Sequence, residues 1–303
     1  MTTGQANPNL SMTKKLRFAF FGTPELAAVF LDDLEAGGLL PSLVVSTPDR
    51  KQGRGMEMTP PAVKKWAEAR AIQVLQPDEW DASAIAALQA ACTRLKIDVF
   101  VVIYYGKLLP RTVLGIPKHG VLNIHFSLLP RWRGTSPVRA SIANDDKITG
   151  TSIILLDEKL DHGPVIAQKR ILAPTWPPRA TELEELATHE SAKLLLEILP
   201  SWLKGEIEAR EQNHDIATLC PGYTKEDGLL DLRGDAYQNL LKIRAFDTTV
   251  GTYSFFERGG KRIRVGIVDA RIENGKLVID RVKPEGKKEM GYEEFARSGA
   301  KPI

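Results

Sequence analysis

Short apolar runs alternate with amphipathic stretches over the first two thirds of this chain. Residues 16–21 (LRFAFF) are almost wholly apolar and stop at Gly22. Thr23 then reads as a helix cap, with Pro24 at the first helical position and the helix running to about residue 35. Residues 43–45 read as a second buried strand, and residues 62–71 and 82–95 as helices. The run VFVVI at 99–103 is the strongest strand signal, because every residue is β-branched or aromatic. Residues 121–125 form another short strand. Residues 151–156 and 165–171 flank a turn at Leu160-Asp161-His162-Gly163. Strands alternating with helices predict an α/β fold, with a Rossmann-like, mostly parallel sheet and right-handed crossovers.

The texture changes after a long helix at 181–203. Residues 206–221 are polar with little periodicity and read as a linker. Beyond lie one helix (235–244) and short strands at 252–256, 261–272 and 277–282. Gly259-Gly260 and Asn274-Gly275 sit at hairpin spacing. Short strands joined by tight turns predict a small OB-like β-barrel. The expected organisation is a disordered tail (1–13), a first domain (14–205), the linker (206–221) and a barrel domain (222–303).

Composition narrows this picture. The 303 residues exceed what one core usually organises, ~250–300 residues, which fits two domains. Hydrophobic residues at 43% and charged residues at 26% are ordinary globular usage, so whole-chain disorder, collagen and coiled coils are excluded. A net charge of +3 permits nucleic acid without requiring it. Cys92 and Cys220 cannot make a Cys-x-x-Cys knuckle, and the histidines lack a His-Glu-x-x-His spacing, so no metal site is expected. Two cysteines, no membrane-length apolar run and no secretory core point to the cytoplasm, with no membrane partner. The opening turn, Phe21-Gly22-Thr23-Pro24-Glu25, has one glycine; nothing there supports a nicotinamide or ATP site.

The densest chemistry lies in Val121–Gly134 (VLNIHFSLLPRWRG). Asn123 and His125 are two apart on a strand, so they share a face. They sit where that strand ends, the usual ligand edge of an open α/β sheet. Asp161 follows 36 residues after His125, room for a helix and a returning strand. Asn donates a neutral hydrogen bond, His moves a proton, and Asp sets the imidazole's tautomer. No nucleophile has matching spacing. On spacing alone the plainer reading wins: a satisfied polar histidine and an ordinary Asp-x-Gly turn.

A resemblance reverses that balance. Asn-Ile-His-Phe-Ser-Leu-Leu-Pro (123–130), then Arg133-Gly134, Gly150-Thr151 and Leu160-Asp161-His162-Gly163-Pro164-Val165-Ile166, resemble the 10-formyltetrahydrofolate-dependent formyltransferases. The resemblance implies catalytic roles for Asn123, His125 and Asp161. Further stretches resemble the branch of that family acting on methionyl initiator tRNA: Phe21–Glu25, Thr47–Gly55 with Pro60–Lys64, and, beyond residue 222, Tyr223–Gly228, Ile243–Phe246 and Pro284–Met290. Ala173–Arg179 and Asp247–Gly251 depart from that pattern.

The implied reaction is formyl transfer from 10-formyltetrahydrofolate to the α-amine of methionyl initiator tRNA, in translation initiation, by a monomer. Asn123 and protonated His125 are expected to donate to the oxyanion, with Asp161 holding His125. By the same resemblance Arg50, Lys51 and Arg54 contact the tRNA acceptor end. Arginine suits phosphates and exposed bases. The folate is expected against Ile103, Leu108, Ser127, Leu128, Leu129 and Pro130. Arg258, Lys261, Arg262 and Arg264 form a second basic candidate, read equally well as a plain solvated strand face. Charge is uneven: residues 99–144 carry six Lys or Arg and no Asp or Glu, which predicts a basic mouth.

Overall fold

The computed structural model describes residues 16–52, 56–220, 222–248 and 250–303. The expected tail at 1–13 lies outside them. Two compact units emerge, one of residues 1–123 and 192–208, the other of residues 124–191 and 209–303.

The first unit is built on parallel strands. Phe18–Phe21 lies between Leu43–Val45 and Val99–Val102. Val74–Leu75 extends one side and Val121–His125 the other. Phe18, Phe20, Phe21, Val99, Phe100 and Val101 are fully buried. Strands covered on both faces read as continuous apolar runs, which is why the sequence showed no alternation here. Helices Glu25–Ala36, Ala62–Glu68 and Ala82–Leu95 belong to the same unit. Asp81 caps the last of these, accepting from the Ala84 N–H at 2.8 Å. The first helix departs from expectation. Pro24 is its N-cap and Thr23 makes no cap. The Thr23 hydroxyl instead donates to the Tyr105 carbonyl at 3.0 Å, a long-range bond that local pattern cannot foresee.

In the second unit Thr149–Leu155 and Val165–Ile171 pair antiparallel, with an irregularity between Val165 and Ala167. The turn carrying Asp161 joins them. Helix Pro137–Ala143 fills the stretch before them. Further on, five antiparallel strands form a small β domain, with Lys261–Glu273 central between Thr252–Arg258 and Lys276–Pro284. Its core holds Phe256, Val265, Ile267, Val282 and Phe295. Ile263 and Val265 alternate with Arg262 and Arg264 and face this core. Arg262 lies over the Phe255 ring and Arg264 over the Tyr253 ring, each at 3.6 Å. The hairpin turn has Asn274 at φ 51° and Gly275 at φ 74°, the left-handed pair that a tight turn requires.

Residues of both departures from the family pattern make bonds inside this unit. Trp176 and Tyr237 both donate to Asp145, at 2.6 and 2.8 Å. Arg179 pairs with Asp269 at 2.8 Å, and the Thr181 hydroxyl donates to Asp247 at 2.5 Å. These bonds tie the β domain to helix Pro137–Ala143 and to the start of helix Ala180–Leu203.

Candidate active site

Asn123 and His125 lie on Val121–His125, separated by one residue, so the pleat gives their side chains one face. His125 is 5% exposed and Asp161 6%. The His125 Nδ1 stands 3.5 Å from Asp161 Oδ2. On the other side, His125 Nε2 lies 2.8 Å from the Trp132 carbonyl oxygen. Both neighbours are acceptors, so the ring is fully matched when both nitrogens carry protons. The Nε2 side is held by a normal hydrogen bond, and the Nδ1 side only loosely, because 3.5 Å exceeds one.

Backbone strain gathers here. Trp132 has φ 59° and Asp161 φ 48°, both left-handed without being glycine, and Gly134 has φ 124°. Such residues persist only where surroundings fix them. The Gly134 N–H donates to Asp161 Oδ2 at 2.8 Å, which aims the carboxylate.

Residues 212–220, within the stretch that reads as a linker, brace this loop. The Trp132 N–H donates to the Thr218 hydroxyl at 2.8 Å, and the Arg133 N–H to the Thr218 carbonyl at 2.8 Å. Leu219–Cys220 pairs in parallel with Arg133–Gly134. Gln212, 6% exposed, bonds Arg133, Asp161 and Gly163. Sequence pattern offered no sign of these residues, since a polar run with no period looks the same whether slack or buried. Cys220 donates to the Trp132 carbonyl at 3.1 Å. Burial pushes the Cys220 and Cys92 thiols up to about 11. Native protein at neutral pH should therefore alkylate slowly at both, and denatured protein quickly. Mass spectrometry after a timed iodoacetamide pulse checks this; rapid native labelling of Cys220 would show the loop to be open.

The six expected folate neighbours divide. Ile103 and Ser127 are 1% exposed and Leu129 5%. Leu129 packs with Ile154 and Val165. The Ser127 hydroxyl donates to the Arg131 carbonyl at 2.6 Å. Leu108 is 85% exposed, while Leu128 and Pro130 are half-buried.

Arg50 and Lys51 are exposed at the start of a short hairpin, Arg50–Gln52 with Glu57–Thr59. Arg54 lies outside the described residues. Arg50 lines a cleft of about 540 Å³ in the first unit, with Thr23, Thr47, Lys65 and Tyr104. Sequence reasoning missed Thr23, Lys65 and Tyr104 as lining groups, because two loops and the helix Ala62–Glu68 bring them together. The basic mouth expected from charge counting is partly neutralised. Arg131 pairs with Asp146, Arg139 with Glu184, Lys107 with Asp78 and Lys64 with Asp49. Burial pushes the Glu184 carboxyl up, and Arg139 opposes that rise. Among the described residues no group of three or more His, Cys, Asp or Glu is placed to hold a metal ion. No helix among them is long and apolar enough to cross a membrane.

A family model described as formyl transferase matches residues 14–199. A methionyl-tRNA formyltransferase of Chloroflexus aurantiacus is 40% identical over 252 residues, covering 82% of this chain and 79% of its own. One from Myxococcus xanthus is 35% identical over 300 residues, 92% of this chain and 94% of its own. Among solved structures, a methionyl-tRNA formyltransferase from Clostridium thermocellum has a TM-score of 0.58 at 15% identity, covering 89% of this chain and 98% of its own. An N-formyltransferase from Helicobacter canadensis, in complex with folinic acid and dTDP-3-aminofucose, has a TM-score of 0.60 at 16% identity, covering 89% of this chain and 99% of its own. At such identities the structural likeness is one of fold, whereas the curated relatives and the family model reach further. The chain belongs to the formyl transferase family, and within it to the methionyl-tRNA formyltransferases.

Proposed function

We propose that this chain, as a monomer, transfers the formyl group of 10-formyltetrahydrofolate to the α-amine of methionyl initiator tRNA for translation initiation. Family membership supports a formyl-folate co-substrate, and the relatives' names support the tRNA acceptor. The observation that carries the mechanism is His125, held between the Trp132 carbonyl and Asp161. The neutral methionyl amine attacks the formyl carbon; α-amines titrate near ~7.7–8.0, so only a modest local effect is needed. Asn123 donates to the developing oxyanion, where fixed donors give most. His125 serves it from Nδ1, since Nε2 is committed to Trp132. Asp161 holds the ring's charge and, through water, carries the proton from the amine to the folate nitrogen. The C–N bond to the folate breaks as the new amide forms. No covalent enzyme intermediate and no metal take part.

Residues 14–205 then perform formyl transfer and residues 222–303 help hold RNA, joined through 206–221. The stacked Arg262–Phe255 and Arg264–Tyr253 pairs support that second role, because such pairs offer both charge and a ring face to RNA. We place the folate against Leu108, Leu128 and Pro130. Ile103, Ser127 and Leu129 would act through backbone groups. The Arg50 cleft takes the tRNA acceptor end, with Lys51 and Arg54 close to Arg50 in sequence. The acceptor is tested by whether tetrahydrofolate release depends on charged methionyl initiator tRNA. Arg50→Ala should raise the KM for that tRNA several-fold, flatten its salt dependence by about one ion, and leave the folate KM unchanged. Steady-state kinetics over a salt series read this, and an equal rise in the folate KM would contradict it.

A further inference from the structure

We infer that Gln212 is a positioning residue for the reaction, acting through Asp161; this rests on the catalytic role proposed above for Asp161. The Gln212 amide nitrogen donates to the Asp161 carbonyl at 2.9 Å and to the Gly163 carbonyl at 2.7 Å. It thus grips the turn on both sides of His162. Its Oε1 accepts from Arg133 Nε at 3.1 Å and from Arg133 Nη2 at 2.7 Å. The next residue, Gly134, donates its N–H to the Asp161 carboxylate. A closed ring results, running from the Asp161 carboxylate through Gly134 and Arg133 to Gln212 and back to the Asp161 carbonyl.

The ring has a reason to exist. Asp161 sits at φ 48°, in the left-handed region that aspartate tolerates better than most residues but at some cost, so bonds that hold its backbone matter. Its carboxylate must nevertheless stay beside His125 Nδ1. One bond fixes the carboxylate and another fixes the backbone that carries it. Gln212 touches neither His125 nor any reacting atom in this arrangement, so its effect passes through geometry alone. Arg133 Nη2 also donates to His214 Nδ1 at 2.8 Å, and the His214 ring stacks on His162 at 4.0 Å. The outer side of the turn is therefore held as well.

Gln212→Leu keeps the volume and removes the four polar contacts. In formylation with 10-formyltetrahydrofolate and methionyl initiator tRNA, kcat should fall roughly tenfold or more, with both KM values within about twofold of wild type. The same change in an Asp161→Asn background should cost less than about twofold, because residues acting as one unit are not additive. Gln212→Glu is the second variant: it keeps the Arg133 partner, loses both amide donations and should reproduce the kcat loss even where Gln212→Leu does not fold. Unchanged kcat in either folded variant, or the same factor in both backgrounds, overturns the clamp. Full turnover in Asp161→Asn alone would instead bring down the reading of Asp161, and the clamp with it.

Discussion

His125→Ala should lower turnover by roughly 10²-fold or more while the chain stays folded. Under the proposed mechanism the imidazole, beside the Asp161 carboxylate, brings positive charge to the oxyanion. Its ring lies between two acceptors, the Trp132 carbonyl and Asp161. Folding should survive because the strand it ends is held by backbone pairing, and the Trp132 carbonyl keeps the Cys220 thiol as a donor. Asn123→Ala and Asp161→Ala should lose about as much, since each removes one part of the same charge arrangement. Single-turnover formylation, with circular dichroism as the check on folding, measures all three. Near-normal turnover in any one of them removes that residue from the mechanism.

Gly134→Ala should cost about 2–4 kcal/mol of stability and at least tenfold in turnover. A Cβ at this position would collide with the Cys220 carbonyl oxygen, and φ 124° is closed to alanine in any case. The chain must then move where its N–H holds Asp161 Oδ2. The stability loss and the activity loss thus share one cause. Gly205→Ala is the control: φ is 74° there too, but nothing lies within 4 Å of the added carbon. Backbone strain alone should cost that variant roughly 1 kcal/mol and leave turnover intact. Denaturant melts and initial rates on both proteins separate the two effects. A Gly134→Ala enzyme of wild-type activity would mean that the Asp161 carboxylate does not depend on this contact.

Much of this fold was legible along the chain, for physical reasons. Residues 43–45, 99–102 and 165–171 are rich in β-branched side chains, and strands formed there. The helix at 82–95 kept its expected bounds because Asp81 caps it and Lys96, at φ 55°, ends it. The helix expected to reach residue 71 stops at Glu68, where Ala71 turns left-handed at φ 53°. Strand Thr252–Arg258 outran its apolar pattern because Glu257 and Arg258 pair with Arg262 and Lys261 across the hairpin. Hydropathy is blind to that, since backbone bonds do not depend on side-chain polarity. The approach of Asp161 to His125 followed from a helix and a returning strand fitting between them. The Trp132 contact did not, because a left-handed tryptophan has no sequence signature. Gln212 was invisible for the same kind of reason: its partners are carbonyls and a guanidinium far away in sequence.

Two other readings differ in their product. A sugar or nucleotide formyltransferase could use the same Asn123, His125 and Asp161; the relatives named methionyl-tRNA formyltransferases argue for RNA instead. An RNA-binding protein with an idle catalytic domain would form no product, and the ordered His125–Asp161 pair argues against that. The deciding measurement is mass identification of the product after incubation with 10-formyltetrahydrofolate, charged methionyl initiator tRNA and an amino-sugar nucleotide together. Formyl-methionyl-tRNA should form with the wild-type chain and fall sharply with His125→Ala; a formylated amino sugar, or no formylated product at all, would overturn the proposed acceptor.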